Sequence, residues 1–189
     1  MTSLIEFATD RLRLRQWCKE DYESFACLNA DPKVMQYFPS LLDRAASDAV
    51  ANHCQSHIDD QGWGFWAVET LGSHEFIGFV GLNTPTYELP FSPCVEIGWR
   101  LAYQHWGKGF ATEAAKGALR VAFEQLELPE IISFTAVVNR RSRAVMERLQ
   151  MQEALNTFEH PQVPVGSKLR EHCLYRLSQE LWLQQNGMS

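Results

Sequence analysis

Residues 95–122 constrain this chain more than any other stretch. The run Val95-Glu96-Ile97-Gly98-Trp99-Arg100-Leu101 reads as a β-strand, and Gln104, His105, Trp106, Gly107, Lys108 and Gly109 follow it as a glycine-bearing turn. Beyond the turn, Ala111, Ala114, Ala115, Ala118 and Ala122 recur at helical spacing, so one helix face can lie very close to a sheet. A turn that ends a strand and opens a helix gathers successive backbone N–H groups and the positive end of the helix dipole, which together favour an anion. Gly107 and Gly109 lack Cβ atoms, so their backbone can approach a diphosphate closely. A P-loop is excluded, because Lys108 is followed by Gly109 and not by Ser or Thr. A dinucleotide fingerprint fits poorly, since Thr112 stands where its third small residue belongs and the motif starts past mid-chain. On local pattern alone, an ordinary glycine turn before a helix accounts for these residues as well as an anion site does.

The rest of the chain mixes strands and helices. Leu12 and Leu14 alternate with Arg11, Arg13 and Arg15 as in a half-buried strand, and a helix over 21–28 turns Tyr22, Phe25 and Leu28 inward. Asp31-Pro32 reads as an N-cap and first-turn proline opening a short helical segment to Tyr37, and a longer helix over 43–60 stops at Gly62. Strands over 65–70 and 75–82, joined by Leu71, Gly72, Ser73 and His74, form an antiparallel hairpin. Pro85, Pro90 and Pro93 break up the loop that follows. After Pro129 come a strand over 131–138, a helix over 142–149, and closing strands over 153–158 and 172–177. With no internal repeat, the economical architecture is α/β (α+β): one mixed sheet flanked by helices, over residues 9–178, with 179–189 as a C-terminal tail.

Composition removes several function classes. A chain of 189 residues, 46% hydrophobic, supports one compact core. The net charge of -6, without any basic stripe, argues against nucleic acid as a partner. No run approaches the ~18 apolar residues of a membrane span, and the N-terminus has no basic start leading into an apolar core. We therefore expect a soluble cytoplasmic protein, monomer or homodimer. Cys18, Cys27, Cys54, Cys94 and Cys173 are scattered, as free thiols in a reducing compartment are. His53 and His57 have an i, i+4 spacing that could bind metal, but no Glu follows His53 and no third ligand is identifiable, so a polar helix face and no metal is the reading.

The segment 95–101, followed by Gln104-x-x-Gly107-x-Gly109 and Ala111-Thr112-Glu113-Ala114, resembles the central motif of the GNAT superfamily of N-acetyltransferases. Thr9-Asp10-Arg11-Leu12-Arg13-Leu14-Arg15 resembles the family's opening strand. Asn139-x-x-Ser142 resembles the second coenzyme-facing block of the branch containing the ribosomal-protein N-terminal (alanine/serine) acetyltransferases. The resemblance runs from about Thr9 to Leu177. It implies a mostly antiparallel sheet whose central strands splay to admit the pantetheine arm of acetyl-CoA. It also implies that amides of Trp99, Arg100 and Leu101 polarise the thioester carbonyl, and that Gln104, His105, Trp106, Gly107, Lys108, Gly109, Ala111 and Thr112 hold the diphosphate, with Asn139 and Ser142 facing the coenzyme. Two departures stand out: Met146 occupies the place of a tyrosine common in relatives, and Gln150-Met151 replaces a usual Gly-Phe.

The implied reaction is acetyl transfer to a primary amine, on a small molecule or a protein N-terminus, by direct attack within a ternary complex. A lysine-like amine titrates near ~10.4, so attack needs a base. Glu96, Glu159 and His160 are the candidates. Each has a structural alternative: Glu96 pairing with Arg100, or His160 capping the turn before Pro161. Ser142 is the candidate proton donor to the leaving thiolate, or else the N-cap of the helix after it. Two other readings are a non-catalytic coenzyme A-binding or partner-binding module on the same fold, and a nicotinamide-nucleotide domain.

Overall fold

The computed structural model describes residues 3–187. Its strands are β1 (Phe7–Ala8), β2 (Leu12–Arg15), β3 (Phe65–Thr70), β4 (Phe76–Asn83), β5 (Glu96–Leu101), β6 (Glu130–Ala136), β7 (Gln152–Glu153), β8 (Phe158–Glu159) and β9 (Glu171–Ser178). Its helices are α1 (Asp21–Ala30), α2 (Arg44–Gln61), α3 (Phe110–Arg120), α4 (Arg140–Arg148) and α5 (Gln179–Gln185). The β1–β2, β2–β3, β3–β4, β6–β9, β7–β9 and β8–β9 ladders are antiparallel and the β5–β6 ladder is parallel, giving the mixed, mostly antiparallel α/β class expected. The residues cluster into two compact units, one running up to Leu82 and including Gly98–Gly117, the other made of Asn83–Ile97 and the residues from Ala118 on.

In the first unit, β1, β2, β3 and β4 are neighbours in that order. Alternation in β2 buries Leu12 and Leu14 fully on one face of the sheet, while Arg15, in register with Ala67 and Phe79, lies on the other, where Trp17, Phe25, Phe76 and Phe79 pack with ring centroids 4.9–6.5 Å apart, mostly edge to face or tilted. Arg15, turned to the same region, is matched by two carboxylates, Asp21 and Glu69, each at 2.8 Å. Helix α2 starts and stops where its punctuation says: Asp43 accepts from the Ala46 amide at 2.8 Å, and Gly62 closes the helix at φ 81°. The helix expected from Asp31 to Tyr37 is absent. Asp31 caps a single turn, accepting from the Lys33 and Met35 amides, and Pro39 then blocks propagation by holding Phe38 out of helical geometry.

The second unit is built on β9, which pairs with β6 from Glu130↔Ser178 to Ala136↔His172. The strand expected over 153–158 is instead two short strands, β7 and β8, each paired with a different stretch of β9. Helix α4 starts two residues before the expected position, at Arg140, and its N-cap is Asn139, whose side chain accepts from the Ser142 amide at 3.2 Å. Residues 121–125 form a π-turn after α3, with the Leu126 amide reaching Val121 O. The segment read as a tail contains α5, whose Trp182 is buried against Phe123, ring centroids 5.6 Å apart.

Candidate active site

The turn after β5 keeps its amides open. Tyr103–His105 is a single 3-10 turn, in which His105 N donates to Ala102 O and Trp106 N to Tyr103 O. These two amides, expected to face a diphosphate, are already used inside the protein, so the free row starts later. Among the described residues, no group accepts from the N–H groups of residues 107–112. Gly107 and Gly109 have φ of 75° and 81°, which bring these amides round to the start of α3, and a Cβ on Gly107 would meet nothing within 4 Å. Side chains of the same segment brace it: Gln104 and His105 both reach Glu75, and Trp106 Nε1 donates to Leu101 O at 2.8 Å. Arg100 bonds Asn29, not Glu96.

One brace escaped the sequence reading. Glu113, in the first turn of α3, accepts from the Thr9 hydroxyl at 2.6 Å and from the Arg11 amide at 2.9 Å, and it forms an ion pair with the Arg11 guanidinium, which also donates to Lys108 O. Partial burial raises the Glu113 carboxyl, but these donors outweigh it and hold the group below its ordinary value. Thr9, Arg11 and Glu113 all stood in recognisable motifs; their meeting, across about a hundred residues of chain, had no local signal.

The second unit carries the titratable groups. Glu96 is half-buried on β5, its Oε1 accepting from Asn83 Nδ2 at 2.8 Å. Burial pushes its carboxyl up to about 7, only partly offset by the Asn83 hydrogen bond. The β5–β6 ladder holds one register pair, Glu96↔Ile132, and the next carbonyl, Ile97 O, accepts from the Ser133 hydroxyl in place of a main-chain amide, as expected of strands that splay. Glu159 is exposed and ion-paired with Arg170 at 2.9 Å. His160 Nδ1 accepts from the Gln162 amide, the turn-capping alternative, so the ring proton lies on Nε2, which donates to Tyr87 Oη at 3.1 Å. His172 packs 4.7 Å from His160 and donates from Nδ1 to Arg170 O. Asn139 is committed at both ends, its amide nitrogen donating to Thr135 Oγ1, and it removes the capping role from Ser142, which is half-buried. Met146 is buried, leaving no donor at that position.

The profile of the acetyltransferase (GNAT) domain family matches residues 11–152. The chain belongs to this family. It is an acetyl-CoA-dependent N-acetyltransferase. The Bacillus subtilis protein YkkB is 31% identical to this GNAT chain over 154 residues, covering 80% of it and 87% of YkkB. An Aspergillus fumigatus enzyme, FsC-acetyl coenzyme A-N(2)-transacetylase, is 31% identical over 184 residues, 93% of this chain and 77% of that one. The crystal structure of an acetyltransferase from Agrobacterium tumefaciens superposes with a TM-score of 0.71 at 29% identity, covering 94% and 96% of the two chains.

Tyr87, in the proline-broken loop of this GNAT chain, is the second group missed by sequence reading. Burial first, then the charge of Glu96, raises its phenol well above the ordinary tyrosine range, so it stays a proton donor. No helix of the described residues is long and apolar enough to cross a membrane, and no group of three metal-ligating side chains occurs among them.

The two buried imidazoles give an acid-stability prediction. Burial, then mutual repulsion with His172, depresses His160 to about 4, and burial lowers His172 as well. Between pH 6.5 and 4 the unfolded chain therefore binds more protons at these sites, and stability is lost as pH falls through that window. His160→Gln should flatten the fall in Tm between pH 7 and pH 5, by about 1 kcal/mol after allowance for residual exposure. Parallel slopes in the two proteins would show that His160 does not titrate on unfolding.

Proposed function

We propose that this acetyltransferase acts on a primary amine, of a small molecule or a peptide N-terminus, with Glu96 as general base in a ternary complex. The observation that carries the reading is Glu96 itself: a half-buried carboxylate oriented by Asn83, with no ion-pair partner among the described residues and its pKa raised to about 7. Such a group is about half ionised at neutral pH and basic enough to take a proton from an ammonium. Glu159 has Arg170 as a competing partner, and His160 has its lone pair occupied.

The coenzyme supplies an activated acetyl group and a good leaving thiolate. Gly107, Lys108, Gly109, Ala111 and Thr112 would hold its diphosphate through their free amides, with Gln104, His105 and Trp106 shaping the turn by their side chains. Backbone N–H groups of Trp99, Arg100 and Leu101 would polarise the thioester carbonyl. Ser142, released from capping by Asn139, would return a proton to the thiolate, a modest contribution because thiols leave readily. The five cysteines are free, which supports a reducing, cytoplasmic location.

Free-thiol release from acetyl-CoA, followed across amino acids, polyamines, aminoglycosides and N-terminal peptides, tests the reading. Acceptor-dependent thiol and an acetylated amine by mass spectrometry are expected with at least one class. Coenzyme A binding without acceptor-dependent thiol from any class would replace this reading with a binding module.

A further inference from the structure

The first unit contains a half-buried cation with no carboxylate in ion-pair range among the described residues. Arg100 projects from β5 onto Phe38, with its guanidinium carbon 4.1 Å from the ring centroid, and lies 5.4 Å from Phe79. Its Nη1 donates to Asn29 Oδ1 at 2.7 Å. Asn29 is fully buried and held in that orientation, because its own amide nitrogen donates to Ser47 Oγ at 2.9 Å. The Nε of Arg100 is buried with no acceptor.

The contrast with Arg15 in the same unit is direct. Arg15 has two carboxylates at 2.8 Å, whereas Arg100 has one neutral amide oxygen and no carboxylate in ion-pair range among the described residues. The nearby ionisable group is Cys54, and burial pushes that thiol up to about 12, so it stays neutral. A guanidinium remains charged throughout the physiological range. Charges withdrawn from water are ordinarily paired, because an uncompensated one is destabilising, so a ligand that brought a negative charge to Arg100 would gain the pairing the protein does not supply.

Nε and the second terminal nitrogen form one edge of the planar fork, which matches the two oxygens of a carboxylate. The phosphates of acetyl-CoA have their own open amides at residues 107–112, so the unmatched cation is left to the second substrate. We propose that Arg100 receives a carboxylate of the acceptor, so that the molecule acetylated carries both a primary amine and a carboxylate. The proposal rests on the acetyl-transfer reading above and deepens it by naming the acceptor class.

Two readouts test it separately from that reading. The first needs no catalysis: thermal unfolding of the full chain with sodium glutarate, glutaramide, inorganic phosphate or sodium chloride at matched ionic strength. Glutarate should raise the wild-type Tm while glutaramide and chloride do not, and the rise should vanish in Arg100→Gln; any rise from phosphate, which the open amides of residues 107–112 can bind, should be the same in wild type and Arg100→Gln. Asn29→Asp serves as a second variant, because it supplies an internal carboxylate: it should unfold at a higher temperature than wild type and lose the glutarate response. The second readout compares amino acids with their carboxamides as acceptors. The acids should be favoured at least tenfold in kcat/KM, mainly through KM, and Arg100→Gln should erase the preference.

A Tm rise from phosphate that Arg100→Gln removes while glutarate gives none, or a glutarate response that survives both variants, would overturn the proposal, as would equal use of acids and amides by the wild type. Absence of thiol release from every acceptor alongside an Arg100-dependent glutarate response would instead count against acetyl transfer and for the anion site.

Discussion

Glu96→Gln should lower kcat/KM for the acceptor roughly a hundredfold at pH 7, the usual scale for loss of a positioned general base. It should also remove the acidic limb of the pH–rate profile, which in the wild type is expected near pH 7, where the Glu96 carboxyl titrates. Residual activity of the variant should rise with pH as free amine accumulates. The same substitution should stabilise the protein at alkaline pH. The folded-state pKa of Glu96 lies above its ordinary 4.5, so the folded chain binds more protons between pH 4.5 and 7, and wild-type stability falls as pH rises through that interval. Glutamine does not titrate and keeps an oxygen for Asn83, so Glu96→Gln should exceed the wild type by up to about 3 kcal/mol at pH 8 and lose this advantage at pH 4.5. Denaturant unfolding at the two pH values measures it. An undiminished rate would remove Glu96 from the mechanism; a lower stability at pH 8 would mean the carboxylate is better solvated than its burial indicates.

Gly107→Val should weaken coenzyme A binding by about 10- to 100-fold while leaving the fold intact. A β-branched residue at φ 75° costs about 1–2 kcal/mol and is relieved by rotating the turn, which turns away the amides that start the open row. The space around Gly107 is empty, so the effect comes from backbone conformation and not from a clash. Titration calorimetry with coenzyme A reads the loss. A matched comparison with acetyl-pantetheine isolates its origin: KM for this truncated donor, which lacks the diphosphate, should be the same in both proteins. An equal loss with both donors would show that the turn supports the fold and not the phosphates.

These two expectations differ in how far each could be read from the chain. The turn at 107–109 was legible because glycine at a strand–helix junction has a local backbone meaning, and because an alanine-rich helix face tells its own packing. Asp43 and Gly62 marked the ends of α2 for the same reason. The segment after Asp31 misled: a good N-cap was present, but Pro39 limited the helix to one turn. Which amides of the turn are free was not legible, since the 3-10 geometry that occupies His105 and Trp106 depends on the exact path of the chain out of β5.

The amino-acid order by itself determined the class of fold, the family and the position of the glycine turn between β5 and α3, because strand alternation, helix spacing and glycine placement are properties of neighbouring residues. Only the tertiary structure distinguished the surroundings of Glu96, Glu159 and His160, found Tyr87 against His160, bound Glu113 to Arg11, and left Arg100 without a carboxylate among the described residues. Protonation and pairing depend on which groups are brought together and how much water remains around them, and both are set by contacts between residues tens to more than a hundred positions apart.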